Sequence, residues 1–380
     1  MTKKLKNIEK LNEELCPEGV EFKALGKVMK RNKGTKITAS QMKELHRENA
    51  PVKIFAGGKT FAMVNFEDVP QKDIHKVPSI IVKSRGVIEF EYYDKPFSHK
   101  NEFWSYFSDD ENINTKYVFY FLKIKEPYFQ TLASKMQMPQ ISLPDTEKFK
   151  IPTPPLPIQE EIVKILDNFT ELETELETEL EARKKQYAYY RNELLTFDDD
   201  EVEFKSIQDL LKEKNILTVN PPKKLLKKYY ADNGIFPIID QGQNFIVGYT
   251  DDENIVVSKG EYVIFGDHTE AIKYVDFSFA QGADGIKILK TNGILTKYFY
   301  YSLHNFYKKT GKYTRHFGLL KKTIIPIPSV EKQKEIVVTL DKFDALVNDL
   351  STGLPAEIKA RRQQYEYFRE KLLTFKELEK

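Results

Sequence analysis

A helical phrase occurs twice in this chain, as ARKKQYAYYRNELLTF at 182–197 and as ARRQQYEYFREKLLTF at 360–375. The segments that lead into it also match, IPTPPLPIQEEIVKILDNF from Ile151 answering IPIPSVEKQKEIVVTLDKF from Ile325. A duplicated helix constrains the fold more than any composition can, because it demands two equivalent units held at a fixed separation. That geometry suits a partner that itself has two sites.

The duplication reaches beyond the helices. VEFK stands at Val20–Lys23 and again at Val202–Lys205, 182 positions later, and the same offset pairs Tyr92 with Tyr274, Asp94 with Asp276 and Phe97 with Phe279. Gly58 and Phe61 answer Gly242 and Phe245, and Lys116-Tyr117 answers Lys297-Tyr298. The order of anchors is kept while small insertions move the register. The whole unit is therefore repeated, and two tandem copies imply internal pseudo-twofold symmetry.

At 380 residues the chain is long enough for two domains of about 150 residues, each with its own core. Its 41% hydrophobic and 31% charged residues are a globular balance. A net charge of +2 gives no bulk signal for nucleic acid, so any basic surface must be local. The single Cys16, the lack of a signal-like apolar start and the lack of a spanning apolar run point to a reducing cytoplasm and no membrane.

Within each copy, short β-branched or aromatic segments bounded by turn residues read as strands: Ile80–Val82, Val87–Phe90, Ile255–Val257 and Tyr262–Phe265. The proline-rich IPTPPLP reads as an extended connector, after which a helix runs from about Ile158 to Phe197. Ile162, Ile165, Phe169, Leu172, Leu176 and Leu180 form a coiled-coil seam, supported by the pairs Glu179/Arg183 and Glu181/Lys185. The second copy is interrupted at Gly353-Leu354-Pro355 and gains four residues, close to one turn. The two copies are expected to pack antiparallel. The N-terminal helix, with Ile8, Leu11 and Leu15 on one face, is expected where a continuation of the C-terminal helix would lie, bringing the termini together.

The proline-rich lead-in, the Q-x-E-I helix start, the charged coiled coil, its ARKKQYAYYRNELLTF end and the duplication around divergent globules resemble the specificity subunit of a Type I restriction-modification system. The resemblance covers essentially the whole chain. It implies an α+β architecture: two tandem mixed α/β target recognition domains separated by two long antiparallel coiled-coil helices, in a pseudo-twofold circular arrangement. The corresponding segments are an N-terminal helix and lead-in at 1–23, one domain at 24–150, a central helix region at 151–200, a second domain at 201–324 and a distal helix region at 325–380. It further implies a non-catalytic DNA-binding subunit. Each globule would read half of a bipartite double-stranded target, while the helices set the spacer and dock two modification subunits, joined by restriction subunits in the full complex. S-adenosylmethionine, ATP and Mg would belong to those partners, with no cofactor on this chain. The alternative is a coiled-coil adaptor whose globules bind protein.

Catalytic readings find little support in the residues. Asn220-Pro221-Pro222 resembles an adenine methyltransferase motif, but Lys223 stands where the base-stacking aromatic belongs, so it reads as a loop. No phosphate-cradling loop is present, and one cysteine and six scattered histidines offer no zinc framework. Gly266-Asp267-His268 lacks a nucleophile partner and reads as a turn or DNA-contact loop.

DNA readout needs paired donors and acceptors on loops. The second copy offers Gln241, Gly242, Gln243 and Asn244. The first offers Gly58, Lys59 and Thr60 in the equivalent loop. Further candidates are Lys83 and Arg85 with their counterpart near His268, then Gln137 and Gln140, then Lys312 and Arg315. Lys33 and Lys36 belong to a basic run suited to phosphates. Trp104 aligns with Ile286 and reads as core. Tyr187, Tyr190, Tyr365 and Phe368 recur at helical spacing and are assigned to helix packing or subunit docking.

Overall fold

A computed structural model of the chain describes residues 2–134, 139–198, 200–282, 284–349 and 352–379, with side chains from Asn7 onward. Strand Ser79–Lys83 carries the fully buried Ile80, Ile81 and Val82. It lies between Glu89–Tyr93 and Trp104–Phe107, and Lys30–Asn32 closes the four-stranded antiparallel sheet. Cover on both faces explains an unbroken apolar run where a half-exposed strand would alternate. The second copy repeats the order with Ile216–Val219, Ile286–Thr291, Tyr262–Gly266 and Ile272–Val275.

A second sheet also recurs. Phe61–Val64, Val52–Phe55 and Phe97–His99 correspond to Gly248–Thr250, Phe236–Ile239 and Phe279–Gln281, each set with one parallel pair, and Val256–Val257 adds a strand in the second copy. The duplicated anchors pair with each other: Phe22 faces Pro152 in one copy, and Phe204 faces Pro326 in the other. Two strand readings shift. Val87, 70% exposed, and Ile88 precede the strand Glu89–Tyr93, and Ile255 ends a 3-10 turn, because ladder partners begin only beyond them.

The chain divides into unit 1, residues 1–175 with 358–380, and unit 2, residues 176–357. One continuous helix, Leu156–Leu195, runs from the first into the second. It begins two residues earlier than the proline run suggests, since Pro157 sits in the first turn, where no intrahelical N–H is needed. Glu179 pairs with Arg183 at 3.2 Å as expected, but Glu181 reaches Lys184 at 2.9 Å rather than Lys185.

In unit 1 the first half of this helix packs against the distal helix Leu354–Leu372. Phe169 meets Tyr365 and Phe368 at ring distances of 6.0 and 5.6 Å, and Glu173 pairs with Arg362. The contact order is antiparallel. In unit 2 the second half packs in the same sense against Val330–Asn348, with Tyr187 and Tyr190 on Phe343 at 6.3 and 5.2 Å and Leu180 in the core that holds Val347. The duplicated phrase is thus used reciprocally, each copy closing on the Phe that precedes the other.

The distal helix stops at Asn348 and restarts at Leu354. A Cβ on Gly353 would lie 2.4 Å from the Ala345 carbonyl oxygen and 2.8 Å from that of Leu346, so the break requires glycine. The two termini meet in unit 1: Val20 N–H donates to Lys376 O at 2.8 Å, Leu378 N–H to Val20 O at 2.9 Å, and Lys371 pairs with Glu9 at 3.0 Å. Ile8 enters the core with Leu372 and Leu373, whereas Leu15 is exposed.

Two brackets tie the helices to the globules. The Q-x-E-I glutamine is buried in both copies. Gln159 accepts from Asn114 N–H at 2.9 Å and donates to Asn112 O and Pro154 O; Gln333 accepts from Leu295 N–H at 2.9 Å and donates to Pro328 O. Two helical turns further on, Asp167 binds Lys116 and Tyr120, and Asp341 binds Lys297 and Tyr301, all at 2.5–2.8 Å.

Candidate nucleic-acid interface

In unit 2 three loops assemble at the strand ends. The hairpin loop after Phe236–Ile239 is stapled from below by Lys273, whose ammonium donates to Asp240 O at 2.8 Å and Asn244 O at 2.6 Å. Burial lowers the Lys273 pKa, and the nearby Asp240 carboxylate opposes the shift. Gln241 is turned inward, accepting from His268 N–H at 3.3 Å and donating to Asp284 O at 3.1 Å. Gly285, at φ +99°, leaves room for it, because a Cβ there would meet the Gln241 amide at 2.6 Å. Thr269 hydroxyl donates to Gln241 O, and Gln243 donates to Thr269 O at 3.3 Å.

The turn 266–271 then holds the third loop. His268 stacks on Tyr313 with ring centroids 5.3 Å apart, and Asp267 Oδ1 accepts from His316 and Phe317 N–H at 2.9 and 2.7 Å. The sequence candidates Gln241–Asn244, His268, Lys312 and Arg315 are therefore brought into one neighbourhood. Gln243, Asn244, Lys312 and Arg315 are exposed, while the Gln241 amide is engaged within the protein.

Unit 1 gathers its candidates around residues 99–103. Thr35 N–H donates to His99 O at 2.8 Å and His75 Nε2 bonds Lys33 O at 2.8 Å, fixing the loop that exposes Lys33 and Lys36. Gly58, at φ +62°, Lys59 and Thr60 form the tip of the hairpin joining Val52–Phe55 to Phe61–Val64. A cavity of about 510 Å³ beneath it is lined by Met42, Lys43, His46, Gly57, Thr60 and Lys100. Arg85 bridges to Gln140, and both are exposed. Lys83 departs from this group, because Glu89 and Glu91 hold its ammonium at 3.0 and 2.8 Å. Gln137 lies outside the described residues. A larger cleft of about 770 Å³ carries Glu89, Glu91, Asp167, Glu171 and Glu175, the wrong sign for a phosphate backbone.

Lys273, Glu270 and Tyr313 escaped the sequence reading, whereas Asp267 stands in a turn, as read for Gly266-Asp267-His268. A lysine in a short strand and an acid in a turn look solvated until the loops are folded onto them. Of the helical aromatics, Tyr187 and Tyr365 pack within their units under Arg191 and Arg369, and Tyr190 and Phe368 stack on Phe343 and Phe169. The equivalent tyrosines left exposed are Tyr189 at 59% and Tyr367 at 61%. Trp104 is core, its indole N–H donating to Thr146 at 3.2 Å. No metal-holding cluster occurs among the described residues, and no described helix is long and apolar enough to cross a membrane.

The buried His99 and the half-buried His304 give a pH prediction. Burial lowers His99 in unit 1 to about 4, and burial with the charges of Arg191 and Lys309 lowers His304 in unit 2 to about 4. The unfolded chain then binds more protons than the folded one between pH 6.5 and about 4, so stability falls as pH drops through that window. The expected loss is about 2 kcal/mol per histidine between about pH 7 and 5. Urea midpoints should report it, and His304→Phe should make the slope shallower, leaving the part due to His99 and His75, whose pKa burial also lowers.

Two sheets, reciprocal helices and loop clusters define a duplicated protein built to present two divergent surfaces. Residues 17–183 and 200–360 match the family described as Type I restriction modification DNA specificity domain. The chain belongs to the specificity subunits of type I restriction-modification systems, which are non-catalytic and recognise DNA targets. It is 30% identical to the Escherichia coli EcoR124I/EcoR124II specificity subunit, over 94% of each chain, and 28% identical to a putative type I restriction enzyme specificity subunit of Haemophilus influenzae, over 82% of this chain and 86% of that one. The fold is similar to that of the S subunit from M. genitalium, with a TM-score of 0.63 at 17% identity covering 93% and 96% of the two chains. A chain from a type I complex described for its assembly and conformational transition matches with a TM-score of 0.52 at 14% identity, covering 94% and 98%.

Proposed function

We propose that each unit reads one half of a bipartite double-stranded target, and that the helices set the spacer and dock two modification subunits. Those partners would carry S-adenosylmethionine and the methyl transfer, with ATP and Mg on restriction subunits, all working in the cytoplasm where the DNA is. The observation that carries this reading is one scaffold bearing two chemistries: equivalent hairpin tips present Gly58-Lys59-Thr60 in unit 1 and Gln243-Asn244 in unit 2. Backbone contacts from Lys33 and Lys36 would supply sequence-blind affinity, and the amide and guanidinium groups would supply base readout.

The test is to map methylated adenines genome-wide by single-molecule sequencing in cells carrying this chain and its modification subunit, then to exchange residues 24–150 for those of a relative. One half of the methylated motif should change, with the other half and the spacer intact. Loss of neither half, or a methylation pattern indifferent to this chain as expected of a protein-binding adaptor, would sink the assignment.

A further inference from the structure

The loop that joins Thr296–Phe306 to Phe317–Leu320 in unit 2 contains Lys308, Lys309, Lys312 and Arg315, and no acidic residue between Tyr307 and His316. A segment of that charge repels itself when free. Here its base is clamped by Glu270, which is 2% exposed. The carboxylate accepts from Tyr307 Oη at 2.7 Å, Thr310 N–H at 2.9 Å and Gly311 N–H at 2.8 Å, with His316 Nδ1 at 3.4 Å. Burial raises the Glu270 pKa, but the hydrogen bonds from Thr310, Tyr307 and Gly311 outweigh it and keep the group below the ordinary carboxyl value.

Two further facts argue that this clamp is not a requirement of the scaffold. Glu270 sits at φ +55°, a conformation costly for a residue with a side chain. The equivalent position of unit 1, found through the pairing of Tyr92 with Tyr274, is the buried apolar Ile88. The connection of unit 1, which runs between the paired Lys83 and Glu89, differs in length, places its positive φ at Gly86 and contains no carboxylate. What Glu270 adds is order in the basic loop, whose tip carries Tyr313, 81% exposed and stacked on His268. An aromatic ring braced on one side and flanked by Lys312 and Arg315 is suited to stack on a base or wedge into a step. Loops ordered in advance also avoid the entropy cost of ordering on binding.

We propose that Glu270 is the positioning residue of a preformed reading loop, which presents Lys312, Tyr313 and Arg315 to the DNA half-site of unit 2. The proposal rests on the DNA-reading assignment above. Its test uses the full chain with modification subunits and a randomised duplex library. Wild-type selection should return a bipartite motif. Glu270→Ala should weaken discrimination at one half-site by about 10–100-fold, with the other half-site unchanged, since one or two base pairs of readout are at stake. Amide exchange at Thr310 and Gly311 should quicken. Glu270→Gln, which keeps an acceptor oxygen, should fall between, and the surface triple variant Lys312→Ala/Tyr313→Ala/Arg315→Ala should reproduce the loss with wild-type thermal stability. Discrimination within twofold of wild type in the Gln and triple variants overturns the proposal. So does an equal loss at both half-sites, the mark of a purely structural role. A wild-type chain that enriches no motif removes the DNA-reading assignment itself, and the role of Glu270 with it.

Discussion

Deleting Thr174–Glu177 should abolish methylation at the native target and create a new one with the same half-sites and a shorter spacer. The central helix carries three tetrads, Thr170–Glu173, Thr174–Glu177 and Thr178–Glu181, each with one leucine. Removing one keeps a leucine at four-residue spacing and leaves the helix formers intact. It shortens the helix by about 6 Å and changes its rotation by about 40° from a whole turn. At about 3.4 Å per base pair, the spacer should contract by one to two base pairs. The native spacing would then satisfy only one half-site, and with about 1–3 kcal/mol lost per mismatched pair, affinity for the old target should drop by at least about 100-fold. Methylome sequencing of cells carrying the deletion reads both outcomes at once. An unchanged spacer would show that the helix is not the ruler.

The second large effect should come from the buried glutamine brackets. Gln333→Leu keeps the volume but strands the Leu295 N–H and the Pro328 carbonyl. Gln159→Leu does the same to Asn114 N–H, Asn112 O and Pro154 O. Buried polar groups left without partners cost about 1–3 kcal/mol each, so each variant should lose about 2–4 kcal/mol. Hydrogen exchange should locate the loss in unit 2 for Gln333→Leu and in unit 1 for Gln159→Leu. The two sites share no partner, so the double variant should show the sum. A loss below about 0.5 kcal/mol in both would leave the repeated glutamine without a structural reason.

The duplicated helix was legible because it announces itself twice, by identity and by apolar spacing. The seam at Ile162, Ile165, Phe169 and Leu176 is buried as its spacing implies. Strand existence was legible too, but strand limits at Val87 and Ile255 were not, because propensity cannot see where a ladder partner begins. The loops were found as loops, and their convergence was not, since the contacts from Gln241 to His268 and from His268 to Tyr313 bridge 27 and 45 residues of sequence. Charge misled in both directions. Lys83 looked available and is held by two glutamates, whereas Lys273 looked like an ordinary strand residue and staples a loop. Only folding decides which cations are spent inside.

The reciprocal use of the helical phrase has a consequence for how the chain is made. Unit 2 is one contiguous stretch, 176–357, and can close as soon as that stretch has left the ribosome. Unit 1 starts before it but needs Tyr365, Phe368, Leu372 and Leu373, which are synthesised only after unit 2. Residues 1–175 must therefore wait, with Phe169 lacking its partners Tyr365 and Phe368, until unit 2 has been made. During that interval the waiting half is the more exposed to aggregation and to chaperone capture.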